Sequence, residues 1–151
     1  MKVEDKSNEI TAIPPLLELL DITGLIITID AMGTQTEIAN KIIEKKGDYV
    51  LALKANHPSL YNLVQQWFET AQADNFYCVD VSYAKRIETG HHCREIREVW
   101  TVAVTAIAQF YQPKIWAGLQ SLVMVVPVRH LWNKTTREVQ FYLTSLPEKW
   151  V

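Results

Sequence analysis

The sequence predicts an α/β fold. Its first half alternates strands and helices, and its second half is rich in antiparallel strands. Two stretches carry the first half. "GLIITID" (24–30) is nearly continuous in apolar residues and rich in isoleucine, the pattern of a strand buried on both faces of a parallel sheet. "DYVLALKAN" (48–56) has the same character, and the stretch between them has helical spacing. A third observation carries the second half. Beyond about residue 76 the chain reads as strand-like runs separated by polar turns.

The elements follow in order. "IPPLLELLDITG" is a short helix whose prolines suit a first turn. The "GLIITID" strand comes next, then a helix over "TQTEIANKIIEKKG". Thr34 and Glu37 have the spacing of a capping box, Ile38, Ile42 and Ile43 form an apolar face, and Gly47 is a natural stop. With the "DYVLALKAN" strand this makes a right-handed βαβ unit. A longer helix places Leu60, Leu63, Val64, Trp67, Phe68 and Ala71 at helical spacing, with Pro58 in its first turn. "FYCVDVSYAKRIE" and "REIREVWTVAV" then read as strands around a polar turn at Gly90. "LQSLVMVVPVRH" and "EVQFYLTSL" read as a second antiparallel pair around "LWNKTTR". Repeats and low-complexity linkers are absent from the sequence.

Composition narrows the function classes. The 151 residues are 48% hydrophobic and 21% charged, enough for a packed core and against wholesale disorder. A formal charge of −2 gives no bulk signature of a nucleic-acid binder, although local patches remain open. No apolar run is long enough to span a bilayer, so no membrane partner is expected. "MKVEDKSNEI" has no apolar signal core, and the two cysteines, Cys78 and Cys93, make no disulfide framework. A reducing, cytoplasmic setting fits these features.

Asp30 raises the functional question. A carboxylate at the C-terminal end of a buried parallel strand sits where α/β sheets place ligands. Burial there raises a carboxyl pKa unless a cation or hydrogen bonds compensate, and Mg²⁺ is an effective compensator because it takes hard oxygen ligands. The competing reading is that Asp30 caps the turn into the next helix.

Three segments bear on this choice: "KSNEI" at 6–10, "TIDAMGTQ" at 28–35 and "DYVLALKAN" at 48–56. In this order they closely resemble insertion-sequence transposases of the DDE type, in the branch that includes the H-repeat-associated proteins. The resemblance continues more loosely through "ETGHHCREIREVW" and "FYLTSL". It implies DNA as a partner and an RNase H-like catalytic core in which two Asp and one Glu hold two divalent ions, Mg²⁺ or Mn²⁺. One ion activates the attacking oxygen and the other stabilises the leaving oxygen. Asp30 matches the second Asp of that triad, as a catalytic residue and metal ligand. The resemblance also implies a partial RNase H-like core over 1–75 and a β-rich insertion that returns toward the core over 76–151.

The resemblance further implies what is missing. The first catalytic Asp of the family lies upstream of "KSNEI", and its Glu lies beyond "YLTSL". Glu4, Asp5 and Glu9 match the wrong part of the pattern. The chain is therefore expected to be an internal fragment that does not bind the metals stably and is inactive alone. The "LIITI" strand is expected to expose an unpaired edge, which favours self-association or pairing with a full-length transposase.

The remaining polar residues keep two readings each. Lys85, Arg86, His91, Arg94 and Arg97 surround the predicted turn at Gly90 and can neutralise phosphates, or form a solvated hairpin tip balanced by Glu88, Glu95 and Glu98. Within this turn His92 and Cys93 depart from the Gly and Arg usual in the related transposases. A zinc site from Cys78, His91, His92 and Cys93 fits no standard spacing. Lys54 faces a scissile phosphate or is an ordinary loop lysine. Gln35 and Asn56 read either as active-site rim residues or as local polar residues. Trp132 stacks on a base or is merely exposed.

Overall fold

A computed structural model describes residues 6–107 and 115–149. Glu4 and Asp5 lie outside these residues. Helix α1 (Lys6–Leu19) leads into strand β1 (Ile26–Ile29), helix α2 (Thr36–Glu44), strand β2 (Asp48–Leu53) and helix α3 (Pro58–Ala73). Strands β3 (Val81–Gly90), β4 (Cys93–Ala103), β5 (Ser121–Leu131), β6 (Thr135–Arg137) and β7 (Gln140–Thr144) follow. All seven strands form one sheet in the order β1-β2-β7-β5-β4-β3, with β6 added to β5. The β1–β2 pair is parallel, as the βαβ reading predicts, and the other pairs are antiparallel.

The core lies between one face of the sheet and the helices. Alternate residues of β2 (Tyr49, Leu51 and Leu53) are buried, as are Phe141 and Leu143 of β7 and Leu122, Met124 and Val126 of β5. Against them pack Ile38 and Ile42 of α2 and Val64 and Phe68 of α3. The spacing of these residues is what makes both helices fold here, since their apolar stripes have this sheet face to cover. Phe68 stacks on Phe141 at 5.7 Å, and Tyr61 meets the same ring edge-on at 5.6 Å.

Strand β7 joins the halves of the chain by pairing with β2, from Val50↔Thr144 to Leu53↔Phe141. Polar side chains fasten this seam. The Tyr49 N–H donates to Ser145 Oγ at 2.9 Å, and that hydroxyl donates to Asp48 Oδ1 at 2.8 Å. Thr144 Oγ1 donates to the Tyr49 carbonyl at 2.8 Å. The buried Tyr49 hydroxyl donates to the Ala117 carbonyl at 2.8 Å, and burial pushes its pKa above the ordinary range.

Several sequence expectations change. Strand β1 is not buried on both faces: it ends the sheet, and Leu25 and Ile26 are about half exposed, at 51% and 50%. Ile27 and Ile29 are partly buried and pack against the core, while Ile26 does not. Helix α1 begins at Lys6, so Pro14 and Pro15 lie in its interior, where each removes a backbone N–H from the i→i−4 ladder. The C-terminal end of α1 is held by Lys45, whose Nζ donates to the carbonyls of Leu17 (2.5 Å), Leu20 (2.5 Å) and Glu18 (3.1 Å). An ion pair between Lys41 and Glu18 adds to this contact.

The Thr34–Glu37 capping box does not form. Gln35 is the N-cap of α2, without a side-chain cap, and the Thr34 hydroxyl is used elsewhere. Helix α2 ends in a Schellman motif with Lys46, not Gly47, in the left-handed region at φ 60°. The Lys46 N–H donates to Ile43 and the Gly47 N–H to Ile42. Gly47 serves close packing instead: a Cβ there would stand 3.1 Å from the Ile22 carbonyl oxygen. Helix α3 ends the same way, with Asn75 left-handed and the Phe76 N–H donating to Ala71. Phe76 and Cys78 also have positive φ, so "FYCVD" is a turn and β3 begins only at Val81. The hairpin loop is His91–His92 rather than Gly90, which pairs with Cys93 at the end of the ladder. No helix among the described residues is long and apolar enough to cross a membrane.

Candidate functional site

Parallel β1 and β2 bring their C-terminal ends to one edge of the sheet. Asp30 follows β1 there, and Lys54 follows β2. Asp30 caps a short 3₁₀ turn (Ala31–Gly33): its Oδ1 accepts the Gly33 N–H at 3.2 Å. The capping reading is thus correct, but it occupies one oxygen only. The expected burial of Asp30 is not observed, because its strand is the sheet edge and the residue is exposed.

The turn around Asp30 is held by residues that sequence reasoning did not assign to it. Buried Thr34 directs its hydroxyl to two carbonyls, Ala52 at 2.5 Å and Asp30 at 3.0 Å, which locks the two strand ends together. Asn56 donates its side-chain amide to the Ala31 carbonyl. His57 donates from Nε2 to the Thr34 carbonyl at 2.6 Å, and its ring meets Trp116 edge-on at 5.7 Å. Asn56 therefore has a definite structural role. Gln35 carries no capping hydrogen bond. Gly33 is required by space, since a Cβ there would lie 2.3 Å from Ile29 Cγ2. The one sequence signal for this lacing was the run of polar residues following each strand.

Asp30 and Lys54 line an open cleft of about 680 Å³, together with Thr28, Ala52, Glu138 and Tyr142. Along one wall the Tyr142 hydroxyl donates to Gln140 Oε1, and Gln140 Nε2 donates to Glu138 Oε2, both at 3.1 Å. Glu138 is a second carboxylate in this cleft that sequence reasoning missed. A two-ion site needs several converging carboxylates. Among the described residues no group of three His, Cys, Asp or Glu side chains is placed to hold a metal ion. The donors present at Asp30 therefore do not fit a two-metal centre by themselves. Cys78 is exposed, while Cys93 sits in β4 opposite Gly90, next to the His91–His92 loop.

Of the predicted cations, only Lys54 shares the cleft with Asp30. The others lie on the β3–β4 hairpin, where strand alternation separates them. Lys85 stands opposite Glu98, and Arg94 opposite Thr89 and His130, on one face. Arg86 stands opposite Arg97 on the other face, and His91 is in the loop. Arg86 pairs with Glu88 at 2.6 Å, and Arg97 with Glu95 at 2.5 Å. Arg129 donates to Glu95 at 2.9 Å, and that hydrogen bond, helped by Arg97, holds the Glu95 carboxyl below its ordinary pKa. Trp132 is 86% exposed in the turn between β5 and β6.

The chain belongs to the transposase DDE domain family, whose model matches residues 1–141. Among its relatives is the "Uncharacterized protein in dhlA 3'region" of Xanthobacter autotrophicus, 41% identical over 95% of this chain and 47% of that protein. The "Putative transposase YncI" of Escherichia coli O157:H7 is 34% identical over 96% of this chain and 37% of its own length. The "H repeat-associated putative transposase YhhI" of Escherichia coli K12 is 38% identical over 96% of this chain and 38% of its own. The chain thus spans less than half the length of these relatives. No solved structure matches it.

Proposed function

We propose that these 151 residues are part of an RNase H-like transposase that cuts and rejoins DNA, and that Asp30 is one carboxylate of its divalent-metal site. The observation that carries the reading is Asp30 itself. It is an exposed carboxylate with one oxygen committed to the Gly33 N–H, at the ligand-binding end of a parallel strand pair and in an open cleft beside Lys54. Metal chemistry of this class would supply an activated oxygen nucleophile and stabilisation of the leaving oxygen. What the chain's own residues supply is the rigid placement of one ligand, through Thr34, Asn56 and His57. Among the described residues no further carboxylates are placed with Asp30 to complete a two-ion site, and on this reading the chain alone is inactive in strand transfer.

Calorimetric titration with Mg²⁺ and Mn²⁺ tests this, with the chain as it stands beside Asp30→Ala. Weak or absent binding by both agrees with a single carboxylate. Tight binding lost in Asp30→Ala would mean that these residues complete a metal site by themselves, which would overturn the claim of inactivity. A second reading, a non-catalytic element that binds DNA, itself or a longer transposase, is favoured by the edge of β1, unpaired among the described residues, with exposed Leu25 and Ile26. Light scattering separates the two, since association through that edge rises with concentration.

A further inference from the structure

The β3–β4–β5–β6 ribbon has two faces of different electrostatic character, and we propose that the face carrying Arg94, His130 and Arg137 is the one that meets the phosphate backbone of duplex DNA. The inference rests on the reading of DNA as partner and specifies the surface.

Cross-strand partners point to the same side of a sheet, so the register assigns every side chain to a face. On one face the row Glu88↔Glu95↔Arg129 crosses three strands, next to the Arg86↔Arg97 pair. Each arginine of this face is engaged: Arg86 by Glu88, and Arg97 and Arg129 by the shared Glu95. Moving these cations onto phosphates would first break ion pairs and would leave Glu88 and Glu95 facing the DNA, which opposes binding.

The opposite face carries no such balance toward its tip. The row Thr89↔Arg94↔His130↔Thr135 runs across four strands, and Arg137 extends it opposite Val128. Arg94, His130 and Arg137 are exposed, and neither arginine forms an ion pair among the described residues. His130 Nδ1 meets Thr135 Oγ1 at 3.0 Å, which fixes the ring. The acidic residue nearest in the ladder on this face, Glu98, lies two rows from Arg94 and His130, beyond the Ile87↔Ile96↔Val128 row that Arg137 joins, and accepts from the Tyr83 hydroxyl. Arg94 and Arg137 stem from strands two spacings apart, about 10 Å, a width over which a duplex carries several phosphates. Unpaired guanidinium groups flanked by Thr hydroxyls suit sequence-independent backbone contact.

The test is fluorescence anisotropy on a labelled duplex of arbitrary sequence, titrated over a range of salt concentrations. It compares the wild-type chain, Arg94→Ala/Arg137→Ala and Arg86→Ala/Arg97→Ala. All four side chains are exposed, so both variants should fold, and far-UV circular dichroism checks this. Loss of two phosphate contacts should flatten the slope of log K against log salt by about 1.8 in the Arg94/Arg137 variant, at about 0.9 per contact. The Arg86/Arg97 variant should keep the wild-type slope. The opposite ranking, or equal losses in both variants, overturns the assignment of the face while leaving DNA as partner. Absence of salt-dependent binding by the wild-type chain overturns the DNA reading and the surface with it.

Discussion

Replacing Tyr49 by Phe removes a single oxygen from the middle of the sheet and should produce a stability gap that closes with rising pH. Tyr49 is fully buried, and its hydroxyl donates to the Ala117 carbonyl at 2.8 Å. Ala117 is only half-buried, so its carbonyl can turn to water when the donor is removed. The cost near neutrality is then that of one neutral hydrogen bond, about 1 kcal/mol. Burial raises the folded-state pKa of Tyr49 above its ordinary value of 10.0. In the unfolded chain the phenol ionises around that value, while in the folded chain it stays protonated. The unfolded state therefore gains stability as pH rises past 10, and the contribution of Tyr49 is present below that pH and lost above it. Between pH 8 and 10.5 the loss from Tyr49 amounts to about 0.8 kcal/mol in wild type and has no counterpart in Tyr49→Phe, while other titrating groups act on both proteins alike. Urea unfolding of both proteins at half-unit pH steps should show the gap shrinking from about 1 kcal/mol to nearly nothing. A gap that stays constant over this range would refute the argument that the buried phenol resists ionisation.

Two further substitutions probe the frame around Asp30. Gly33→Ala drives a methyl to 2.3 Å from Ile29 Cγ2 and should destabilise the chain by about 1–3 kcal/mol, read as a lowered Tm in calorimetry. A Tm within a degree of wild type would show that the Asp30 turn is free to shift. Lys45→Met keeps the apolar stem but removes the ammonium that closes α1, and should cost about 1.5–3 kcal/mol, read by denaturant midpoint at unchanged m-value. An unchanged midpoint would show that water caps that helix end equally well.

The βαβ unit was legible because its signals are local: two apolar runs, and isoleucines at helical spacing over α2. The position of Asp30 at a strand end was legible for the same reason. Its exposure was not, since isoleucines in β1 look alike whether or not a second strand lies alongside. The helix ends were obscured by residue type. Lys46 and Asn75 take the left-handed conformation that favours glycine, and the glycine after Lys46 is needed for contact with Ile22 instead. The separation of Lys85 and Arg94 from Arg86 and Arg97 follows from period-two alternation once the strand register is fixed. What hid it was that the residues crowd together in sequence. Thr34 is the clearest loss: its spacing to Glu37 imitates a cap, while its hydroxyl bridges to β2, eighteen residues away.

The seam between β2 and β7 has a kinetic consequence. The strands of the parallel pair are close in the chain, with Ile26 facing Asp48, and β3, β4 and β6 each meet β5 or one another as local ribbons. The contact of Tyr49 with Ser145 closes a loop of 96 residues. Relative to the parallel pair this is about two doublings of loop length, or roughly 1 kcal/mol of extra closure entropy. The two ends of the sheet can therefore form as separate nuclei, with the zipping of β7 onto β2 as the late event. The backbone amides along that seam would then be the ones whose protection from solvent exchange appears last during refolding.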